Sequence, residues 1–237
     1  LRLTVGRDLG GWMKGVVVHF NLTNALVGQP SSDVEVSAEW ASGASLLPAK
    51  SMSKSKVPLL GVAEGSEPLF VLEPAFKSAT LSQTTPLPSA SNTLTLVVAT
   101  NVNIGGGSKL SLSGLAGASR AGLSSSVAAK VTATDPKDGL NLTLSCSNAQ
   151  HEHSLFDLHS GSDCHTLEMR IQGSQTMRVG ISYSISIEIL NPKSAQTSPS
   201  ISVSVSGPVQ IKAAAVQKTS SGALGVEGGS RPLYVII

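Results

Sequence analysis

The residues best equipped for chemistry gather in one stretch, CSNAQHEHSLFDLHSGSDCH, from Cys146 to His165. It holds both cysteines of the chain and four of its five histidines, His151, His153, His159 and His165, with Glu152, Asp157 and Asp163 between them. A His-x-His pair on a strand sets two imidazoles on one face, and a third ligand from the loop could complete a zinc or copper site. The plainer reading is a polar loop tied off by a disulfide between Cys146 and Cys164, with 17 residues between them. By the chain-entropy argument, closing a loop of that length stabilises the fold by about 3 kcal/mol. The disulfide is the expectation carried forward; metal ligation by the histidines stays as its alternative, and no cofactor is expected.

Other candidates have plainer explanations. DPKDGLN (Asp135 to Asn141) offers two carboxylates and a glycine but lacks the dense acidic spacing of a calcium loop, so a turn is expected. NIGGGSK (Asn103 to Lys109) lacks the spacing and the following helix of a phosphate cradle and reads as a hairpin turn. There is no G-x-S-x-G elbow, and His19 stands apart from any Ser/Asp pair with useful spacing. The chain is therefore not expected to be an enzyme.

A net charge of +2, with 14% charged residues and no basic stripe, argues against a nucleic-acid binder, which needs clustered cations to displace counterions. No apolar run reaches the roughly 18 residues of a membrane-spanning helix. Two sequons, at Asn21 and Asn141, would accept N-glycans in a secretory pathway, and SQTTPLPSAS and SAQTSPS could carry O-linked sugars. Sequons and paired cysteines together point to an extracellular or cell-surface protein. The opening LRLTVGRDLGG lacks an initiator Met and already reads as strand, which suggests a piece of something longer.

Alternation with period two dominates and helical periodicity is missing. Strands are expected at Gly15 to Asn24, Asp33 to Trp40, Asn92 to Asn101, Ser108 to Leu115, Asn141 to Cys146, Thr166 to Gly173, Gly180 to Asn191 and Pro199 to Gly207. Turn-forming clusters separate them, and aromatics are only 3%, so the core must be Val, Ile, Leu and Ala. The expected fold is all-β: an antiparallel, Ig-like β-sandwich.

The chain also repeats itself. GSEPLFV (Gly65 to Val71) returns as GSRPLYV (Gly229 to Val235), 164 positions on, and Leu22 to Trp40 aligns with Ile189 to Gly207 at 167. LRLTV aligns with LEMRI at 166. Residues 1 to about 73 thus repeat 167 to 237, while 74 to 166 has no counterpart, so the chain reads as a window on a tandem array of units near 165 residues. With the seam set at the repeated phrase, residues 1–66 are the C-terminal half of one sandwich, 67–230 a complete one, and 231–237 the start of the next. Two small sandwiches per unit is the alternative. An incomplete half should expose a sheet edge and an apolar face.

The strand ending in Thr100 and Asn101, the GSKLSLSGL strand (Gly107 to Leu115) and the IEILNPKSAQTSP strand and turn (Ile187 to Pro199) occur in an order that resembles the tandem β-domains of very large, uncharacterised surface proteins of unicellular algae and related protists. The resemblance covers essentially the whole unit, with the Asn-Pro turn degraded to TNALVGQPSS in the first copy. It implies a structural building block of an extracellular fibre, sheath or surface appendage, whose partners are further copies of itself or neighbouring repeats. An adhesin or carbohydrate-binding module is the alternative, although Trp12, Trp40, Tyr183 and Tyr234 offer few aromatic platforms for glycans.

Overall fold

The computed structural model describes residues 2–4, 17–118, 127–128, 130–133, 135, 138–147 and 164–236. Among them there is no helix, and the strands are β1 (Glu35–Glu39), β2 (Ser45–Ser51), β3 (Phe76–Gln83), β4 (Ser91–Thr100), β5 (Ile104–Gly105), β6 (Lys109–Ser113), β7 (Val127–Ala128), β8 (Lys130–Ala133), β9 (Leu142–Ser147), β10 (Thr166–Ile171), β11 (Thr176–Met177), β12 (Tyr183–Leu190), β13 (Ser202–Ser206), β14 (Ile211–Ala215) and β15 (Gln217–Lys218). A six-stranded sheet runs β14-β13-β6-β10-β9-β7 and a five-stranded sheet runs β15-β3-β4-β12-β8; β5 pairs with β11, and β1 pairs with β2.

The period-two alternation becomes a two-faced sheet because successive side chains point to opposite sides. In β4, Asn92, Leu94, Leu96 and Val98 turn inward while Thr93, Thr95 and Val97 are part-exposed. In β13, Val203 and Val205 do the same between serines. The inward faces of both large sheets meet in one cluster, with Leu81, Leu96, Ile185 and Ile187 from one and Leu110, Leu112, Met169 and Val203 from the other. That arrangement is consistent with a β-sandwich, and each such side chain contributes about 1.5–3 kcal/mol when fully buried.

One end of the core is polar, and its groups satisfy one another. The Asn92 carboxamide donates to Gln83 Oε1 (3.0 Å) and Asn191 Oδ1 (2.7 Å) and accepts from the Thr84 N–H (3.0 Å) and Thr85 N–H (3.3 Å). Asn191 donates onward to the Thr85 and Leu87 carbonyls, both at 2.9 Å. Gln83 then grips the repeated phrase: its amide donates to the Gly229 and Tyr234 carbonyls, and its oxygen accepts the Leu233 N–H at 2.7 Å. Residues 229–236 are thereby packed onto the strands that precede them, with Leu233 and Val235 buried.

Three expectations are corrected. Residues 17–24 alternate as foreseen yet form no strand, because strand structure needs a ladder partner and none is present among the described residues. NIGGGSK is not a hairpin turn: it joins β5 to β6, and these pair with β11 and with β10 and β13, not with each other. Nor is the pairing wholly antiparallel. After β14 the chain crosses sheets at the buried Val216, and β15 runs parallel to β3, with Gln217 opposite Thr80 and Lys218 opposite Leu81.

Candidate unit-to-unit interface

The sequence repeat has a structural counterpart, residue by residue. Val36 pairs with Lys50 and Ala38 with Leu47 in the β1–β2 hairpin; Val203 pairs with Ala214 and Val205 with Ile211 in β13–β14, with the same bulge in the second strand. Adding 167 to the first strand and 164 to the second carries one register onto the other. Gln29 bridges Val71 as Gln196 bridges Val235, and each glutamine amide also donates to a leucine carbonyl, Leu69 (2.7 Å) or Leu233 (2.9 Å).

A tight hairpin precedes each copy of the phrase. Leu59 and Val62 exchange two backbone bonds of 3.0 Å, as Ala223 and Val226 do at 3.1 and 2.9 Å. The two central residues are left-handed in both, Leu60 (φ 51°) with Gly61 (φ 77°) and Leu224 (φ 51°) with Gly225 (φ 77°). That is the two-residue turn whose twist matches a hairpin. A leucine in this region is strained by about 1–2 kcal/mol.

The two turns are identical in shape but differ in what they touch. The Leu60 carbonyl accepts the Asn103 N–H at 2.8 Å, and the Asn103 side chain accepts the Val179 N–H at 2.8 Å. Gly61 lies so close that a Cβ there would fall on the Asn103 carboxamide and within 2.7 Å of the Val179 side chain. Val62 packs against the hydrophobic core. Gly225, by contrast, has open space where a Cβ would project, and Leu224 is 67% exposed.

Between the docked turn and β3, the connection is held by Asn101. Its side chain accepts the Ala75 N–H (2.7 Å) and donates to the Glu73 carbonyl (2.9 Å), and its N–H donates to the Ala75 carbonyl. Glu73 forms an ion pair with Lys212 at 2.9 Å. The ammonium holds the Glu73 carboxyl below its ordinary value, and Glu73 raises Lys212 in return. In the first copy Lys54 pairs with Asp33 at 2.9 Å, lowering the carboxyl and raising the ammonium in the same way. In the unit's core, burial pushes the Tyr183 phenol up, and its oxygen accepts the Arg178 N–H at 2.8 Å.

The two copies differ sharply in burial. Phe20 is 56% exposed and its counterpart Ile187 is 2% exposed; Val36 is 57% exposed and Val203 is 0%. Val18, Leu22, Leu47, Met52 and Leu69 are likewise exposed where Ile185, Ile189, Ile211, Val216 and Leu233 are buried. Burial in the second copy comes from β3, β4 and β6, the strands for which residues 17–69 have no equivalent neighbour among the described residues.

The sequence-derived sites fall as follows. Cys146, on β9, and Cys164 are placed at disulfide distance, with Cα atoms 5.5 Å apart. His165 is exposed at the start of β10, where its carbonyl accepts the Gly114 and Leu115 N–H groups. His151, His153 and His159 lie outside the described residues. Asn21 and Asn141 are both exposed. In DPKDGLN, the Asp138 N–H donates to the Asp135 carbonyl and Asp138 Oδ1 pairs with Arg178 at 3.1 Å, while Oδ2 is buried without a hydrogen-bond partner among the described residues. Asn103, Asn101 and Gln83 were not singled out from the sequence as working residues. The Gly pair at 61 and 225 within the repeated LGV was the signal that could have marked the turn.

Comparison with known proteins found no matching family model, curated protein or solved structure.

Proposed function

We propose that this chain is a structural building block of an extracellular fibre, sheath or surface appendage, assembled from tandem Ig-like β-sandwich repeats of about 165 residues that contact one another head to tail. The observation that carries the reading is the turn that occurs in two states. At Leu60–Gly61 it is seated on Asn103 and Val179, and at Leu224–Gly225 the same turn has no such neighbour among the described residues. A contact of one surface with a different surface, repeated at every seam, gives a ring where its rotation closes and a filament where it does not, and the reading takes the second case. The disulfide-distance cysteines and the exposed sequons support an extracellular setting.

Electron microscopy of the native material tests this. The expected result is an axial repeat equal to one unit or a small multiple of it. Dispersed particles without an axial repeat would overturn the filament reading and shift attention to ligand-binding loops.

A further inference from the structure

Among the described residues the outer edge of β1 is unpaired: β1 pairs only with β2, while its counterpart β13 lies between β14 and β6. Main-chain direction fixes which groups face the opening. The Val34 carbonyl and the Trp40 N–H both bond toward β2, so by alternation residues 35, 37 and 39 present their backbone groups to the open side. The Ile201 carbonyl bonds toward the β14 side in the same parity, leaving residues 202, 204 and 206 toward β6.

We propose that the β1 edge and the apolar face beside it bind the front half of a further repeat unit by strand addition, with a strand of the Lys109–Ser113 pattern as its anchor. The register follows from the complete unit, where Val203 faces Leu112, Val205 faces Leu110 and Ser206 faces Lys109. Shifted by 167, Val36 faces the second leucine of the incoming strand, Ala38 the first, and Glu39 the lysine, which would share the Glu39 carboxylate with its present partner Arg2. Antiparallel addition supplies backbone hydrogen bonds, and the alternating leucines supply specificity. Val18, Phe20 and Leu22 fit the same occupant, since their counterparts Ile185, Ile187 and Ile189 lie opposite Leu96, Leu94 and Asn92 of β4. A second copy of this chain already uses its own β6 between β13 and β10, so the occupant is a front half not yet matched to a back half. This rests on the repeat reading but not on the assembly being a fibre.

The experiment uses the full 237-residue chain and a labelled synthetic peptide, GSKLSLSGL, with the sequence of Gly107–Leu115. Fluorescence anisotropy should show saturable one-to-one binding, with hydrogen exchange slowed at Glu35–Glu39. A peptide with Leu110 and Leu112 replaced by serine should bind at least about tenfold more weakly, as should the Ser37→Pro chain, which lacks one outward N–H. In case that variant misfolds, Glu39→Lys provides a second route: it should weaken the native peptide and recover binding with a Lys109→Glu peptide. Equal binding of the native and serine peptides, or protection elsewhere than β1, would overturn the proposal, as would no binding. Microscopy of the native material reports separately on the fibre, so the two readings can fail independently.

Discussion

The N–H of Asn103 and the carbonyl of Leu60 meet at 2.8 Å, and this bond holds a left-handed turn against the connection between β4 and β5. The counterpart carbonyl, on Leu224, belongs to the same turn drawn a second time, and the comparison of the two turns gives the cleanest test of the junction.

Gly61→Ala and Gly225→Ala impose the same backbone strain, because both glycines have φ 77°. Each should cost about 1–2 kcal/mol from that source. Only Gly61→Ala also drives a methyl into Asn103 and Val179. Gly61→Ala should therefore release residues 57–75 to limited proteolysis, while Gly225→Ala leaves their cleavage rate unchanged.

Asn103→Ala removes the acceptor of the Val179 N–H and the wall against which Gly61 rests. Leaving a half-buried donor without its partner should cost about 1–3 kcal/mol, read by chemical denaturation. Asn103→Asp keeps an acceptor and should cost less.

Asn92→Ala should be among the most damaging single changes in the complete unit. It leaves Gln83, Asn191 and two threonine N–H groups without their shared partner in a buried site. The expected loss is about 3 kcal/mol or more, with residues 229–236 becoming exchange-labile because Gln83 is their clamp.

Replacing both Cys146 and Cys164 by serine opens a loop of 17 intervening residues. By the chain-entropy argument this should cost about 3 kcal/mol. For a unit of this size the melting temperature should fall by roughly 6–12 °C, and reductant should lower the wild type to match. A wild-type melt indifferent to reductant would mean that the pair does not contribute as a disulfide.

The exposed Glu73–Lys212 pair should act as a pH-dependent fastener of the segment leading into β3 against β14. Glu73 is lowered from 4.5, so its contribution is present above that pH and lost as pH falls through the folded value. Lys212 is raised from 10.5, so its contribution is present below that pH and lost as pH rises through its folded value. NMR titration of Glu73 should show its midpoint return upward in Lys212→Gln, and high salt should mimic that variant.

Much of the fold was legible because alternation is a local signal. The strands from Asn92, Ser108, Asn141, Thr166, Gly180 and Pro199 all form close to where the pattern placed them. Alternation cannot say whether a partner exists, however, and Val18, Phe20 and Leu22 have the pattern without the ladder. The repeat itself was readable from identities such as Asn24 with Asn191. What it does at the junction was not, since Asn103 and Val179 meet Leu60 only through the folded topology, and nothing in NIGGGSK marks its asparagine as a docking residue.

The central claim is that residues 17–69 and 184–233 are two copies of one structural half, one with its partner strands and one without. Site-resolved hydrogen exchange on the intact chain tests it most directly, comparing Phe20 and Val36 with Ile187 and Val203. The account predicts protection of the second pair at least about a thousand-fold above the first, an opening free energy larger by about 4 kcal/mol. Equal protection in the two copies would mean that the first half completes itself, and would contradict the account.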